Sequence, residues 1–197
     1  MVLYLSVVFI GMVVITLCNY FFGNSGQDLL YISLLVLIAT FLQIVIDLIF
    51  AGIIRWFFPK KWVSVDKIKV YSATKKEQIF YEKLGIKKWK DYVFELGALS
   101  GFRKNKLGDV NDLSYIERFI YEANYGILIH YACIIFGVAI IFICPKPFWW
   151  TVGLPITIIN IVLNVLPTMI LKYNLPKLHT LYKYNKRKLE RETSKTN

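Results

Sequence analysis

The chain has 197 residues, of which 56% are hydrophobic, 16% aromatic and only 19% charged. A typical soluble domain is about 45–50% apolar and about 25% charged, so this composition excludes most soluble classes and indicates an integral membrane protein. The net charge of +11 would suit a nucleic-acid-binding protein if the basic residues formed one face of a soluble domain. They lie instead in blocks outside the apolar segments, so we exclude a nucleic-acid partner.

Four segments are long and apolar enough to cross a bilayer, which takes about 20 residues of helix. In chain order they are residues 2–22, 29–58, 123–144 and 148–171. Short turns at residues 23–26 and 145–147 join them in pairs, so we predict two antiparallel helical hairpins. The first segment lacks a basic leader and a clear cleavage site, so we expect a retained span rather than a signal peptide.

Lysine and arginine are concentrated in two blocks. Residues 55–106 carry 14 basic residues against 5 acidic ones, and residues 172–197 carry 8 against 2. Because basic residues beside a span stay on the cytoplasmic side, we expect a multi-pass membrane protein with both termini and the long loop in the cytoplasm. We divide the chain into an N-terminal membrane hairpin (1–58), a basic aromatic-rich loop (59–119), a C-terminal membrane hairpin (120–172) and a basic tail (173–197).

The long loop interleaves tryptophan, tyrosine and phenylalanine with lysine, a composition typical of a segment that lies in the headgroup region of a membrane. Residues 75–89 have helical spacing of apolar side chains along one side, which predicts an interfacial amphipathic helix. We therefore predict an all-α integral membrane protein of about four transmembrane helices in two hairpins, with an interfacial helical loop that contacts anionic lipids.

Asp47 lies inside the second predicted span, with Gln43 one helical turn earlier on the same face. A charge near the centre of a bilayer costs roughly 2.5–3.5 kcal/mol on insertion scales, so an acidic residue there is a candidate functional residue. Asp47 could face a substrate. Alternatively it could form an ion pair with Arg55 or with a basic residue of another helix.

Glu122 and His130 lie at the start of the third span and about two turns into it. Eight residues of helix rise about 12 Å and turn through about 80°, so the two side chains cannot form a direct pair in one straight helix. Histidine titrates near neutral pH, which makes His130 a candidate general base for acyl transfer. The alternative is a buried hydrogen bond that holds two helices together.

Asn160 and Asn164 lie four residues apart in the last span and therefore on one helix face. Their amides could join helices, or they could orient an acyl carbonyl or a lipid headgroup. Pro167 follows and removes one helical hydrogen bond. The three cysteines show no metal-ligand spacing, and the chain has no nucleotide-binding or zinc-hydrolase motif, so we expect no metal and no cofactor.

Three segments taken together resemble the glycosyl-diaponeurosporenoate acyltransferase family, small membrane proteins of Gram-positive bacteria. The segments are residues 81–91, 120–131 and 164–178, and the resemblance covers about residues 55–178. It implies a Trp-Lys loop motif, an acid and a histidine eight residues apart, and an Asn-Pro plus Tyr-Asn element. The matching residues are Trp89, Lys90, Glu122, His130, Asn164, Pro167, Tyr173 and Asn174.

The chain departs from the family pattern where the family carries arginines. Members usually have an arginine and a second acid between the glutamate and the histidine, where this chain has Asn124, Tyr125 and Ile127. These departures weaken the case for a sugar-carotenoid acceptor more than the case for acyl transfer. They make the chain similar to a divergent branch, the membrane component of staphylococcal lipoprotein N-acylation systems, which implies the N-terminal amine of diacylglyceryl-cysteine as acceptor and a second protein component as a partner.

The resemblance leads to the hypothesis of a membrane-embedded acyltransferase that takes a fatty acyl chain from a phospholipid or related donor. His130 would act as general base or as nucleophile, Glu122 would orient or balance the charge of an essential group, and Asn160 or Asn164 would donate to the developing oxyanion. Trp89 and Lys90, with Asp47, Tyr173 and Asn174, would bind substrate or lipid. The second hypothesis is a non-enzymatic scaffold that docks a soluble partner on its basic loop, and a small transporter is the third.

Overall fold

The structure is a computed structural model that describes residues 2–23, 26–93 and 112–196. The described residues are helical and contain no strand, and four of their helical segments are long and apolar enough to cross a membrane. The predicted all-α membrane class is therefore confirmed. The helices are α1 (Val2–Phe22), α2 (Leu29–Phe57), α3 (Ile68–Tyr71), α4 (Lys75–Lys83), α5 (Ile86–Trp89), α6 (Leu113–Gly137), α7 (Ala139–Ile143) and α8 (Leu154–Thr196).

The bounds of the first two spans agree with the sequence, but those of the last two differ. Helix α6 begins at Leu113 instead of residue 123, because its first turns carry charged residues that a hydropathy criterion leaves out. The fourth span begins with one π-helical turn, Trp149–Gly153, and α8 then continues to Thr196. Pro167 and Pro176 lie inside α8 without ending it. Turn residues 24–25 and loop residues 94–111 lie outside the described residues.

The first of two compact units comprises residues 1–57 and 129–166. The buried positions of α2 recur every three or four residues, as expected for one face of a helix: Ile32, Val36, Ala39 and Gln43. The three apolar ones pack with the buried side of α1 and with α7 and the start of α8 in an apolar core. The Asn19 side chain donates to the Thr151 carbonyl at 2.8 Å, which ties the end of α1 to the π-helical turn.

The outward faces of this unit are apolar, with large side chains such as Phe9, Phe41 and Ile135 more than 60% exposed. Aromatic side chains are exposed at the helix ends, where Phe22, Trp56 and Trp150 are each more than 70% exposed. Lipid tails cover such apolar faces, and aromatic residues favour the two membrane interfaces. The exposed surface of the unit is therefore that of a membrane protein.

The second unit comprises residues 58–128 and 167–197. Its core joins Ile68 of α3 to the N-terminal half of α6 and to Leu171, Leu175 and Leu178 of α8. Since Pro176 has no N–H, it cannot donate the usual helical hydrogen bond to the carbonyl of Lys172. The backbone N–H of Ala73 donates to that carbonyl at 3.0 Å, so the segment before α4 supplies a donor where the proline cannot.

The amphipathic helix predicted over residues 75–89 is interrupted at Gly85. Gly85 has a φ of +71°, a left-handed conformation that ends α4 and that glycine adopts without strain. Thr74 and Glu77 begin α4 with a capping box. Tyr81 and Ile86 are buried, while apolar side chains of α4 including Ile79 and Phe80 are exposed. Membrane contact by this exposed apolar side remains a prediction.

Candidate active site

The polar residues predicted inside the spans meet in the first unit. Asp47 lies on α2, His130 on α6, and Asn160 and Asn164 on α8. Each occurs at helical spacing among residues that face the interior: on α6, for example, buried Cys133 follows His130 three residues later. The structure therefore brings four of the predicted site residues into one layer of polar side chains between apolar helices.

His130 and Asn164 are in direct contact. Nδ1 of the half-buried His130 lies 2.8 Å from Oδ1 of Asn164, which is 7% exposed. The amide nitrogen of Asn164 donates to Oδ1 of Asn160 at 2.8 Å and to its backbone carbonyl at 3.0 Å. Since the Asn164 oxygen can only accept, the imidazole contributes the proton of this bond at Nδ1. The lone pair of the neutral ring is then on Nε2.

Asp47 is bound by amide groups. Gln43 Nε2 donates to its Oδ1 at 3.1 Å, and Asn164 Nδ2 approaches its Oδ2 at 3.5 Å. The Cys133 thiol donates to the Asp47 backbone carbonyl at 3.6 Å. These uncharged partners differ from the Arg55 ion pair that the sequence left open. A chain of contacts therefore runs from the Asp47 carboxylate through the Asn164 amide to the imidazole of His130.

Asn160 is 5% exposed and lies one turn before Asn164 on α8, where it supports the series of contacts between Asp47 and His130. Its Nδ2 donates to the carbonyl of Cys133 at 3.2 Å, while its Oδ1 accepts from Asn164. Gly137 makes the arrangement possible, because a Cβ atom there would lie 2.3 Å from Asn160 Nδ2 and 2.8 Å from Gln43 Nε2. The carboxamides of Asn160 and Gln43 therefore hold and orient Asn164 and Asp47, respectively.

Glu122 belongs to the second unit, whereas His130 belongs to the first. Glu122 is half-buried on α6, and the residues next to it anchor the segment that follows α2. Asn124 Nδ2 donates to the carbonyl of Val63 at 3.0 Å, and the Tyr125 hydroxyl donates to the carbonyl of Phe58 at 3.0 Å. Asn124 and Tyr125 therefore both have a structural role here.

Trp89 and Lys90 are half-buried at the end of α5. Trp89 Nε1 donates to the carbonyl of Leu84 at 3.0 Å, across the turn at Gly85. This bond fixes the indole against the turn between α4 and α5. The Trp-Lys motif therefore lies on a folded helical element of the second unit.

Tyr173 and its neighbour Lys172 connect α8 to α4. The hydroxyl of buried Tyr173 donates to Glu82 Oε1 at 2.7 Å, and Lys172 Nζ forms an ion pair with Glu77 at 2.5 Å. Partial burial raises the pKa of Glu77, but hydrogen bonds from Lys172 and Thr74 outweigh that effect and lower it. The Tyr-Asn element thus has a structural contact through its tyrosine, while Asn174 is half-buried beside it on α8.

Sequence reasoning missed Glu77, Glu82 and Cys133 as partners of site residues. The Thr-x-x-Glu spacing of Thr74 and Glu77 is a capping-box signal that could have placed the start of α4. The contact of Glu77 with Lys172 joins residues 95 positions apart, and no local pattern reports it. Cys133 is a thiol in an apolar run, so its sequence context indicates only packing.

The fold and the polar layer define a helical membrane protein with an imidazole bound by the Asn164 amide. A model of the glycosyl-4,4'-diaponeurosporenoate acyltransferase family matches residues 54–184, about two thirds of the chain. The chain belongs to this family and is an acyltransferase. The match includes His130, Asn160 and Asn164, whereas Asp47 and the whole of α1 lie outside it. No curated protein and no solved structure matches the chain.

Proposed function

We propose that the chain transfers a fatty acyl group from a phospholipid or related lipid donor to a membrane-anchored acceptor, and that the acceptor is the N-terminal amine of diacylglyceryl-cysteine lipoproteins. The observation that carries the proposal is the 2.8 Å contact between His130 Nδ1 and Asn164 Oδ1. It gives an imidazole among apolar helices a defined tautomer, as a general base requires.

His130 is the base in this reaction. Its Nε2 removes a proton from the acceptor amine as the amine nitrogen attacks the ester carbonyl of the donor. The new C–N bond forms, the ester C–O bond breaks, and the imidazolium returns the proton to the departing lipid alcohol. The products are an N-acylated acceptor and a donor lipid with one chain fewer, and His130 regains its starting state.

Asn164 positions His130, and the Asp47 carboxylate lies beside Asn164, with its Oδ2 3.5 Å from the amide nitrogen. The carboxylate also stabilises the imidazolium that forms when Nε2 takes the proton, because opposite charges attract strongly where water is scarce. Asn160 fixes the orientation of the Asn164 amide by accepting its N–H at 2.8 Å. We assign the two asparagines this positioning role, since their amide nitrogens already donate to protein groups.

The remaining predicted residues contact lipid in this proposal. Trp89 and Lys90 bind donor or anionic headgroups at the cytoplasmic interface, with Tyr173 and Asn174 supporting that region. Glu122 orients or neutralises a cationic group at the same cytoplasmic interface. In this proposal the protein lies in the bacterial cell membrane with both termini in the cytoplasm, an orientation that the distribution of its basic residues supports.

The test compares bacteria that carry the gene, lack it, or carry His130→Ala. Mass spectrometry of lipoprotein N-termini and of total polar lipids identifies the acceptor, because only one molecular species gains an acyl chain. We expect the extra chain on the lipoprotein amine, and its loss in the deletion strain and in His130→Ala. If a glycosylated terpenoid gains the acyl chain instead, that terpenoid is the acceptor and the lipoprotein amine is not. Unchanged acylation in His130→Ala would reject the assigned base.

A further inference from the structure

A narrow crevice in the first unit runs between α1, α2 and α8 and ends at polar side chains. Its apolar walls include Val8 and Met12 of α1, Ile44 of α2, and Ile159 of α8. Thr40, Gln43, Asp47 and Asn160 line it as well. Ile44 is 40% exposed on the outer surface of α2, a surface that lipid tails would cover. The crevice therefore joins the lipid-facing surface to the same layer that contains Asp47.

Two buried polar atoms at this crevice have no hydrogen-bond partner within the part of the chain that the structure describes. They are Oε1 of Gln43 and Oγ1 of Thr40. Gln43 is 5% exposed, and its amide nitrogen already donates to Asp47, which fixes the orientation of the amide and leaves the oxygen without a donor. An unpaired buried acceptor destabilises the fold, so native proteins rarely keep one without a use.

The unpaired atoms specify the chemistry of what would bind. A carboxamide oxygen accepts hydrogen bonds and cannot donate them, so the group that reaches Gln43 must carry an N–H or an O–H. The ester carbonyl of an acyl donor has neither. The cavity encloses about 30 Å³. Since one water needs about 10–15 Å³, the space suits the end of a ligand rather than a whole lipid.

We propose that this crevice is the binding site of the acyl acceptor: the acceptor's amine or hydroxyl donates to Gln43 and Thr40, and its hydrocarbon anchor lies along the apolar walls of α1 and α8. The proposal rests on the proposed function, because it takes the ligand of the crevice to be the acyl acceptor. It also gives a role to α1 and to most of α2, which lie outside the region that the family model matches.

The experiment measures binding without acyl transfer, so it can fail or succeed separately from the proposed function. The full chain in detergent micelles is photolabelled with a long-chain fatty alcohol that carries a diazirine near its hydroxyl. The same chain as a methyl ether and as a methyl ester serves as the matched probe without a donor group. We expect the alcohol to label α2 peptides about fivefold more strongly than either matched probe, the effect of one hydrogen bond.

Variants locate the site. Gln43→Met and Thr40→Val should each lower alcohol labelling toward the level of the ether and leave ether labelling unchanged. Thr40→Val replaces an unpaired hydroxyl by a methyl group of the same shape, so it should fold at least as well as the parent chain. Ile159→Trp should block all three probes, whereas Ile158→Trp should block none, because Ile158 is 51% exposed and does not line the crevice.

Three results would overturn the proposal. One is equal labelling of α2 by the alcohol and the ether. Another is alcohol labelling that survives in both Gln43→Met and Thr40→Val. The third is stronger labelling by the methyl ester, which would assign the crevice to the acyl donor instead.

Discussion

Nδ1 of His130 lies 2.8 Å from Oδ1 of Asn164, and the nitrogen of the same amide is directed to Asn160 and Asp47. An amide has distinct donor and acceptor ends, so occupying the nitrogen assigns the oxygen to the imidazole. Asn164 thereby decides which ring nitrogen of His130 carries the proton. Three helices contribute to this arrangement: α2 the carboxylate, α6 the histidine and α8 the two asparagines.

The first prediction concerns catalysis by His130 and its support by Asn164. His130→Ala should lower acyl transfer by about 10²–10⁴-fold, the usual contribution of a general base. Asn164→Leu should lower it by less, because the imidazole remains but loses its orienting partner. Mass spectrometry of acylated product measures both variants. His179→Ala is the matched control, since it changes the other histidine of the chain, which belongs to the second unit. Equal activity in Asn164→Leu and the parent would contradict the positioning role.

The second prediction concerns the space that Gly137 leaves for two carboxamides. Gly137→Ala introduces a Cβ that would lie 2.3 Å from Asn160 Nδ2, so the amides must shift. Overpacking of this kind costs about 1–3 kcal/mol of unfolding free energy, and we expect activity to fall with it. Thermal unfolding in detergent gives the stability, and product formation gives the activity.

Gly52→Ala is the matched control for this substitution. A Cβ at Gly52 meets nothing within 4 Å, and alanine favours a helix over glycine by about 1 kcal/mol. This variant should therefore be at least as stable as the parent chain. If both glycine variants behave alike, close packing at Gly137 does not position the site.

The third prediction is a pH dependence of stability at the Glu77–Lys172 pair. The folded chain lowers the pKa of Glu77 below its ordinary 4.5, so the unfolded state binds the proton at higher pH than the folded state does. The pair therefore stabilises the fold above about pH 4.5, and its contribution disappears as the pH falls through the lowered pKa. Glu77→Gln should cost about 1 kcal/mol or less at neutral pH, since the carboxylate is partly exposed.

Melting temperatures of the parent and Glu77→Gln, measured across pH in detergent, test this dependence. The difference should be present at neutral pH and should shrink in acid. Glu82→Gln is the control, because Glu82 and Lys87 form a more exposed pair at 2.8 Å and should give a smaller difference at neutral pH. A Glu77→Gln difference that stays constant from neutral pH into acid would exclude the carboxylate as its source.

The fourth prediction separates the acyltransferase from a scaffold that docks a partner on the basic loop. Charge reversal at Lys87, Lys88 and Lys90 should weaken binding to anionic vesicles and leave acyl transfer measurable, because these residues do not belong to the unit that contains His130. His130→Ala should show the opposite pattern. Vesicle flotation and product analysis of the same samples make the comparison. Abolished function after charge reversal, with full function in His130→Ala and Glu122→Ala, would favour the scaffold.

Local patterns determined the elements of the fold and the candidates for the site. Apolar runs of span length placed all four membrane helices, since bilayer thickness sets a length that hydropathy alone reports. The cost of polarity in a bilayer selected Asp47, His130, Asn160 and Asn164 before any contact was known. The predicted helix ends were less accurate where a helix carries charged residues, as in α6, which begins at Leu113. Hydropathy detects the membrane-embedded part of a helix rather than the whole helix.

Only the tertiary structure decided which of these residues lie next to one another. His130 and Asn164 are 34 positions apart, and Asp47 is 117 positions from Asn164, so no sequence period could relate them. Their contacts arise because each helix places its polar face inward, where an amide or a carboxylate finds partners that lipid cannot supply. The sequence by itself determined an acyltransferase-like membrane protein and its polar residues. Helix packing decided that Asp47 lies beside Asn164 in the same unit as His130, whereas Glu122 belongs to the other unit.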